Sequence, residues 1–240
     1  MQLSTETQLF LLVAALYLFD CTQLLDSNEG LLVRRRTGWQ AIQGSDDFRW
    51  MGKSIYVLNL LAPHQPTYRL SWTFDAPSTH AQDEGWTHHA STLTSLTPFV
   101  HLIGAILFGL LPLALFLELD SRLLLLTIAM LYVSVAMALI AAYQVWPRDA
   151  GRLRFAGLAA ECVACPPLAV NLLRRLSLRL PVAEAFPDAA QRLLADEAWQ
   201  RVREVCVDRL RIQIDEEPEG STKSRDLQTQ LHRFESGAVS

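Results

Sequence analysis

The pattern of apolar and polar positions singles out two long stretches without any Asp, Glu, Lys or Arg. These are Phe99–Leu117 and Leu123–Val145. A helix needs about 20 apolar residues to cross the hydrocarbon core of a bilayer. The two stretches therefore predict transmembrane helices within residues 98–146. Because only a short acidic turn separates them, they should form an antiparallel hairpin.

Two further apolar stretches are less regular. Residues Leu9–Leu25 predict a first helix, an uncleaved anchor within residues 1–25 that Asp20 interrupts. The stretch Phe155–Leu173, within residues 147–180, contains Pro166-Pro167, and a proline inside a helix removes one amide donor and crowds the preceding turn. We therefore expect a break near Ala164. This element either spans the membrane or bends back, and we favour the bent form because arginines follow it.

The sequence of residues 26–97 predicts a small β module inserted between the first and second hydrophobic helices. The segment Thr67–Asp75 alternates large apolar with polar side chains, which indicates a strand with one buried face. Turn residues separate four more candidate strands, which are Gly30–Arg35, Trp39–Gln43, Phe48–Met51 and Ser54–Leu61. Residues 76–97 are polar and are interpreted as a loop.

The C-terminal residues 181–240 are polar and charged. Within them, Ala183–Ile214 places apolar residues on one stripe and predicts an amphipathic helix over residues 181–214. The acidic segment after it predicts a disordered tail, 215–240. The fold class that follows is membrane α-helical, with three or four hydrophobic helices, an inserted antiparallel β module and a C-terminal amphipathic helix.

Charge placement predicts the orientation. Arg34, Arg35 and Arg36 follow the first helix, whereas no basic residue precedes it. Cytoplasmic loops carry the excess of Lys and Arg, so the insert should be cytoplasmic. Only two of the 21 basic residues are lysine, a bias typical of a GC-rich bacterial genome, which indicates a multi-pass protein of the bacterial inner membrane. A net charge of −4 speaks against nucleic acid as a partner.

Two cysteines in the fourth element are the sharpest candidate for a reaction. Cys162 and Cys165 are three residues apart, just before the two prolines. If a new helix starts at Pro166, Cys165 lies at its N-terminus, which favours a thiolate. The pair is then a candidate membrane thiol–disulfide oxidoreductase site. The alternative, which we favour, is that both thiols simply pack in the interior.

Polar residues within apolar stretches form a second candidate site. They are Asp20, His101, Glu161 and Asn171. A charge at the centre of a bilayer costs roughly 2.5–3.5 kcal/mol, so each acid needs a partner or a path to water. Contact among them would indicate ion or proton transport that uses Asp20 and Glu161. A polar clamp that holds the helices together is the favoured alternative.

Aromatic residues of the module are candidates for partner binding. They are Trp39, Trp50 and Trp72, which either face a partner at an open strand edge or form the module's own core. The 183–214 helix offers a second candidate surface. The histidines match no ligand spacing of a known metal site, and no cofactor is expected.

These observations favour a non-enzymatic interaction or assembly component in the bilayer. It would present the β module and the amphipathic helix to a protein partner. Membrane thiol–disulfide oxidoreductase and small ion or proton transport component remain the alternatives.

Overall fold

The computed structural model describes residues 5–26, 28–43, 49–71, 83–147, 150–180, 184–218 and 221–236. The chain forms two compact units. Unit 1 comprises Met1–Leu24, Ile55–Tyr68 and Gln82–Val182, and unit 2 comprises Leu25–Ser54, Arg69–Ala81 and Ala183–Ser240.

The helices of unit 1 begin with α1, Thr5–Asp20. The others, in chain order, are α2 Asp83–Thr94, α3 Thr97–Ala105, α4 Leu111–Phe116, α5 Ser121–Val145, α6 Arg152–Ala164, α7 Pro166–Ala169 and α8 Leu172–Arg179. Unit 2 holds α9 Phe186–Leu193, α10 Asp196–Glu216 and α11 Thr222–Ser236. The six strands are β1 Thr22–Leu25, β2 Glu29–Arg35, β3 Gly38–Gln43, β4 Arg49–Trp50, β5 Lys53–Val57 and β6 Thr67–Ser71.

Two helical stretches are long and apolar enough to cross a membrane. They are His88–Phe116, which combines most of α2 with α3 and α4, and Ser121–Val145. A core helix of a soluble protein can pass the same test of length and composition, but such a helix is mostly buried. Here only 28% and 33% of the most apolar window of each stretch is buried inside the chain.

The first of these stretches is irregular just before Pro112. Residues Ile106–Leu110 form a π-helical turn, in which the Leu111 amide donates to the Ile106 carbonyl. Because a proline lacks the amide and crowds the preceding turn, the helix has to adjust there.

The remaining hydrophobic elements are short. Helix α1 has 16 residues and ends at Asp20, whereas the sequence predicted a helix to Leu25. At 1.5 Å per residue, α1 is about 24 Å long and α6 about 20 Å, both shorter than a hydrocarbon core of about 30 Å. A third or fourth span is therefore not established. The helix is interrupted at Cys165, between α6 and α7.

The predicted small antiparallel sheet is confirmed, in the form of two three-stranded sheets. Their strand orders are β1-β5-β4 and β3-β2-β6. Strands β2 and β3 form a hairpin whose register pairs Leu32 with Ala41 and Arg35 with Gly38. Strand β1 was not predicted, because Thr22–Leu25 continues the apolar pattern of α1.

Two predicted irregular segments contain helices. Residues 76–97 were interpreted as a loop, but α2 occupies Asp83–Thr94 and buries Ala90 and Leu93. The tail 215–240 was predicted to be disordered, but α11 buries Leu227 and Phe234 beside α10. In both cases a sparse stripe at helical spacing supplies the burial. The high average polarity of both segments led to the prediction of irregular structure, although the stripe is present in the sequence.

The predicted single amphipathic helix 183–214 is instead two helices. Helix α9 ends at Leu193 and α10 begins at Asp196, with Leu194 and Ala195 in extended conformation between them. Helix α9 packs on β2, where the Phe186 ring lies so close to Gly30 that an added Cβ would be 2.4 Å from it. Helix α10 packs on β3.

Candidate functional site

Polar side chains from α1, α6 and the α7–α8 region meet within unit 1. We call this group the arginine clamp, and its members are Asp20, Glu161, Asn171, Arg174, Arg175 and Arg179. Asp20 is the last residue of α1, and Asn171 directly precedes α8. Because residues four apart lie on one side of a helix, Arg175 and Arg179 both face α6. The break at Cys165 allows α8 to pack against α6.

Arg175 joins the two acids of the clamp. Its Nε donates to Asp20 Oδ1 at 2.9 Å and its Nη1 donates to Glu161 Oε2 at 2.5 Å. Arg179 Nη2 donates to both oxygens of Glu161, at 2.8 and 2.7 Å. Asn171 Nδ2 donates to Asp20 Oδ2 at 2.9 Å. Both acids are thus bonded to guanidinium groups.

Arg174 is the buried cation of the clamp, with only 2% of its surface exposed. Its guanidinium donates to Asn171 Oδ1 at 3.0 Å, to the Ala62 carbonyl at 2.8 Å and to the Asn59 carbonyl. It also lies 3.4 Å from Cys21 Sγ. A buried cation is tolerated when such acceptors replace water. Arg174 therefore fixes the chain around Asn59–Ala62 against α8.

The electrostatics of the clamp favour fixed charges over proton exchange. Hydrogen bonds from Arg179, and then from Arg175, hold the pKa of Glu161 below its usual value, although partial burial opposes them. Burial lowers the pKa of Arg174. A carboxylate that two guanidiniums hold ionised is a poor proton carrier near neutral pH.

The structure brings together three of the four predicted polar residues. Asp20, Glu161 and Asn171 belong to the clamp, whereas His101 packs against His64 with ring centroids 5.0 Å apart. Burial lowers the pKa of His64, and His101 and Arg174 lower it further. Among the described residues, no group of three or more His, Cys, Asp or Glu is placed to hold a metal ion.

Of the two cysteines of the fourth element, Cys162 precedes the helix break and Cys165 lies at it. Cys162 is buried in α6, and Cys165 is half-buried and precedes α7. Burial raises the pKa of Cys162 to about 11, which disfavours the thiolate. Both thiols are free. The redox assignment stays a prediction without support from the environment of Cys162.

A second candidate region lies in unit 2, along β3 and α10. A groove of about 610 Å³ runs there, which we call the β3–α10 groove. Its lining is formed by Trp39, Gln40, Ala41 and Gln43 from β3 and by Ala198, Arg201, Val202, Val205, Asp208, Arg209 and Ile212 from α10. Gln43 Nε2 donates to the Val202 carbonyl at 3.4 Å and to Cys206 Sγ at 3.0 Å, and so ties strand to helix.

The three tryptophans proposed for partner binding have different positions. Trp39 is half-buried in the groove, and the Arg34 guanidinium lies 5.4 Å from its ring centroid. Trp50 is 60% exposed on β4. Trp72 lies outside the described residues. Of the three, Trp39 is placed in a concave surface.

Sequence reasoning missed the arginines as members of the polar cluster. Arg174, Arg175 and Arg179 were used only as markers of membrane orientation. The two acids within apolar stretches already required cationic partners, and three arginines at helical spacing followed Asn171. That requirement was the available signal.

Comparison with known proteins gives no further assignment. No family model, curated protein or solved structure matches the chain.

Proposed function

We propose that this chain is a multi-pass membrane protein that presents unit 2 to a protein partner, as a non-enzymatic interaction or assembly component. The observation that carries the membrane part is the exposure of its apolar helices. Side chains of α5 that face outward include Leu125, Val133 and Ile140, which are 66%, 56% and 62% exposed. Monomeric soluble proteins rarely expose a continuous apolar surface of this kind, and it marks contact with a membrane or a partner.

Exposure elsewhere in unit 1 supports the same proposal. On α1, Leu12 and Phe19 are 56% and 79% exposed, and Phe116 at the end of α4 is 85% exposed. In this proposal α1 inserts alongside the two long helices. The fourth element bends at Cys165, so that the three clamp arginines stay at the cytoplasmic interface, as the positive-inside rule favours.

The clamp also supports a structural role in preference to transport. Its carboxylates are bonded to guanidiniums, so moving an ion or proton through the site would require breaking those pairs. The partner-binding half of the proposal is supported by the β3–α10 groove, which is concave and lined by apolar, amide and charged side chains.

Membrane insertion and orientation can be tested together. The parent would carry Cys165→Ser, since Cys165 is the most accessible native thiol among the described cysteines. A single new cysteine then replaces either Arg36, in the exposed β2–β3 turn, or Asp120, in the exposed turn between α4 and α5. In intact cells an impermeant maleimide should label Asp120→Cys at once and Arg36→Cys only after permeabilisation.

Two outcomes would contradict the proposal. Release of the chain from membranes by alkaline carbonate would exclude an integral membrane protein. Labelling of Arg36→Cys in intact cells would reverse the orientation and place unit 2 outside the cytoplasm.

A further inference from the structure

The β3–α10 groove follows the edge of a strand. Side chains alternate between the two faces of a sheet, so a cavity over one face would be lined by every second residue. Here the consecutive residues Trp39, Gln40 and Ala41 line it together. Strand β3 also ends the order β3-β2-β6, with no further strand paired beside it among the described residues. The groove therefore runs along a strand edge whose backbone donors and acceptors have no strand partner among the described residues.

One hydrogen-bond acceptor in the groove has no donor among the described residues. Gln40 Oε1 is buried and accepts no hydrogen bond from the described residues. Leaving a buried polar atom unsatisfied costs about 1–3 kcal/mol. An amide donor from a bound chain would satisfy it. This observation points to a ligand that carries N–H groups.

The opposite wall of the groove supplies apolar contact. Ala198, Val205 and Ile212 recur every seven residues along α10, and the last two are 40% and 51% exposed. A seven-residue repeat keeps side chains on one side of a helix. The inner stripe of α10, which includes Trp199 and Leu210, is buried separately. The outer stripe is thus available to a second chain.

The charge around the groove is mainly positive. Arg201 lines it exposed, beside the buried Arg209 and the single carboxylate of Asp208. Arg34 stacks on Trp39, and the exposed Arg35 and Arg36 follow in the turn of the same hairpin. A ligand with acidic side chains complements this surface, because opposite potentials favour association and suppress basic partners.

We infer that the β3–α10 groove binds an extended acidic segment of a partner protein, which adds as a strand to the edge of β3. The partner's backbone pairs with β3, its apolar side chains contact the α10 stripe, and its carboxylates lie near Arg201 and the hairpin arginines. Strand addition of this kind draws affinity from the main chain and specificity from alternate side chains. This inference deepens the proposed function and rests on it for the existence of a protein partner.

The test uses the full chain in detergent micelles and a fluorescein-labelled octapeptide, (Glu-Val)4, with (Lys-Val)4 as the matched probe. Fluorescence anisotropy should show saturable binding of the acidic probe and binding at least tenfold weaker for the basic one. A third probe, (Glu-Val)4 with every valine amide N-methylated, and a fourth with every glutamate amide N-methylated, keep the charges. At least one of the two should lose binding by tenfold or more.

Matched variants locate the site. Arg201→Gln and Gln200→Glu each change the charge by one unit on adjacent residues of α10, and only Arg201 lines the groove. The Kd for the acidic probe should rise three- to tenfold in Arg201→Gln and stay within twofold in Gln200→Glu. Val205→Asp should weaken binding at least tenfold. Circular dichroism and retention of the buried Cys206 thiol confirm that each variant is folded.

Three results would overturn the inference: no binding of the acidic probe, equal loss in Gln200→Glu and Arg201→Gln, or full affinity for both N-methylated probes. The last would mean that no strand is added. Failure of the proposed function is separate, because it is read from carbonate extraction and cysteine labelling. If the chain is embedded in the membrane but does not bind the peptide, only the assignment of the groove is refuted.

Discussion

Removing the link between Asp20 and Arg175 tests whether the arginine clamp braces unit 1. The two side chains are 9% and 17% exposed, and Arg175 lies 2.9 Å from Asp20 Oδ1. Asp20 also accepts a hydrogen bond from Asn171. A hydrogen bond to a charged group contributes about 1.5–3 kcal/mol, and partial exposure puts the pair near the lower end. Asp20→Ala therefore loses two bonds, or about 3 kcal/mol of unfolding free energy.

The double-mutant cycle separates the pair from its surroundings. Asp20→Ala leaves Arg175 with Glu161 alone, and Arg175→Met leaves Asp20 with Asn171 alone. The double variant leaves neither charge stranded, so its loss should be smaller than the sum of the two single losses. We expect a coupling free energy of about 1.5–3 kcal/mol, typical of residues that share one buried network.

Buried thiols give the readout. In a parent with Cys165→Ser and Cys206→Ser, the remaining Cys21 and Cys162 are both buried in unit 1. A thiol-reactive fluorogenic dye then reports unfolding of this unit during a thermal ramp in detergent. For a chain of this size 1 kcal/mol shifts Tm by about 2–4 °C, so Asp20→Ala should lower Tm by about 6–12 °C.

A matched surface pair provides the control. Lys53 lies 3.1 Å from Asp26, and both side chains are 43% exposed. Exposed pairs contribute at most about 1 kcal/mol, so Lys53→Met should lower Tm by no more than about 4 °C. Because this pair lies in unit 2, its Tm is read from the buried Cys206 thiol, in a parent that keeps Cys206 as its only cysteine. If Asp20→Ala behaves like Lys53→Met, or if the two clamp losses add to within about 0.5 kcal/mol, the clamp is not a brace.

Three further changes test other parts of the structure. The pKa of Glu161 in the folded chain is below the ordinary value of a glutamate. The ionised carboxylate therefore stabilises the fold fully at any pH above the ordinary pKa, and this stabilisation is lost as the pH falls through the folded-state pKa. Glu161→Gln removes the titrating group and should flatten the acid side of a curve of Tm against pH. Gly30→Ala should lower the stability of unit 2 by about 1–3 kcal/mol, since the new Cβ meets the Phe186 ring. Phe234→Ala should cost about 3–5 kcal/mol, because that ring is 1% exposed in the α10–α11 packing.

The two substitutions in unit 2, Gly30→Ala and Phe234→Ala, have matched controls. Gly157 has open space at its Cβ position in α6, so Gly157→Ala should be neutral or stabilising by up to about 1 kcal/mol, read from Cys21 and Cys162 because Gly157 lies in unit 1. His232 is exposed, and His232→Ala should leave α11 unchanged. Dye labelling of Cys206, whose pKa burial raises to about 12, reports unit 2. Unaltered labelling in Phe234→Ala would show that α11 does not pack on α10.

The sequence predicted those elements whose apolar pattern is dense. The α5 helix and the β2–β3 hairpin lie within a residue or two of their expected bounds, because each has a continuous periodic signal. Helix α11 has only a sparse periodic signal of apolar residues. Its buried positions Leu227 and Phe234 are separated by polar residues, and only contact with α10 decides whether that stripe is used.

The candidate sites show the same division between local and long-range information. The break at Pro166 is a local property, and it could be placed from two prolines alone. The pairing of Glu161 with Arg175 and Arg179 depends on how α8 returns against α6 after that break. The groove depends on α10 meeting β3, which are more than 150 residues apart in the chain. A contact between elements so far apart in the chain leaves no periodic pattern from which it could be predicted.

The clamp also bears on how the fourth hydrophobic element can lie in a bilayer. If residues 152–179 crossed as one straight helix, Glu161 and Arg179 would be separated by 18 residues, or about 27 Å at 1.5 Å per residue. The observed distance of 2.7 Å requires the chain to fold back. Helix α8 then lies beside the last turn of α6 and the end of α1, where Asp20 lies. A straight span would leave Asp20 and Glu161 without these guanidinium partners in the apolar phase, so the bent form is the one that satisfies their charges.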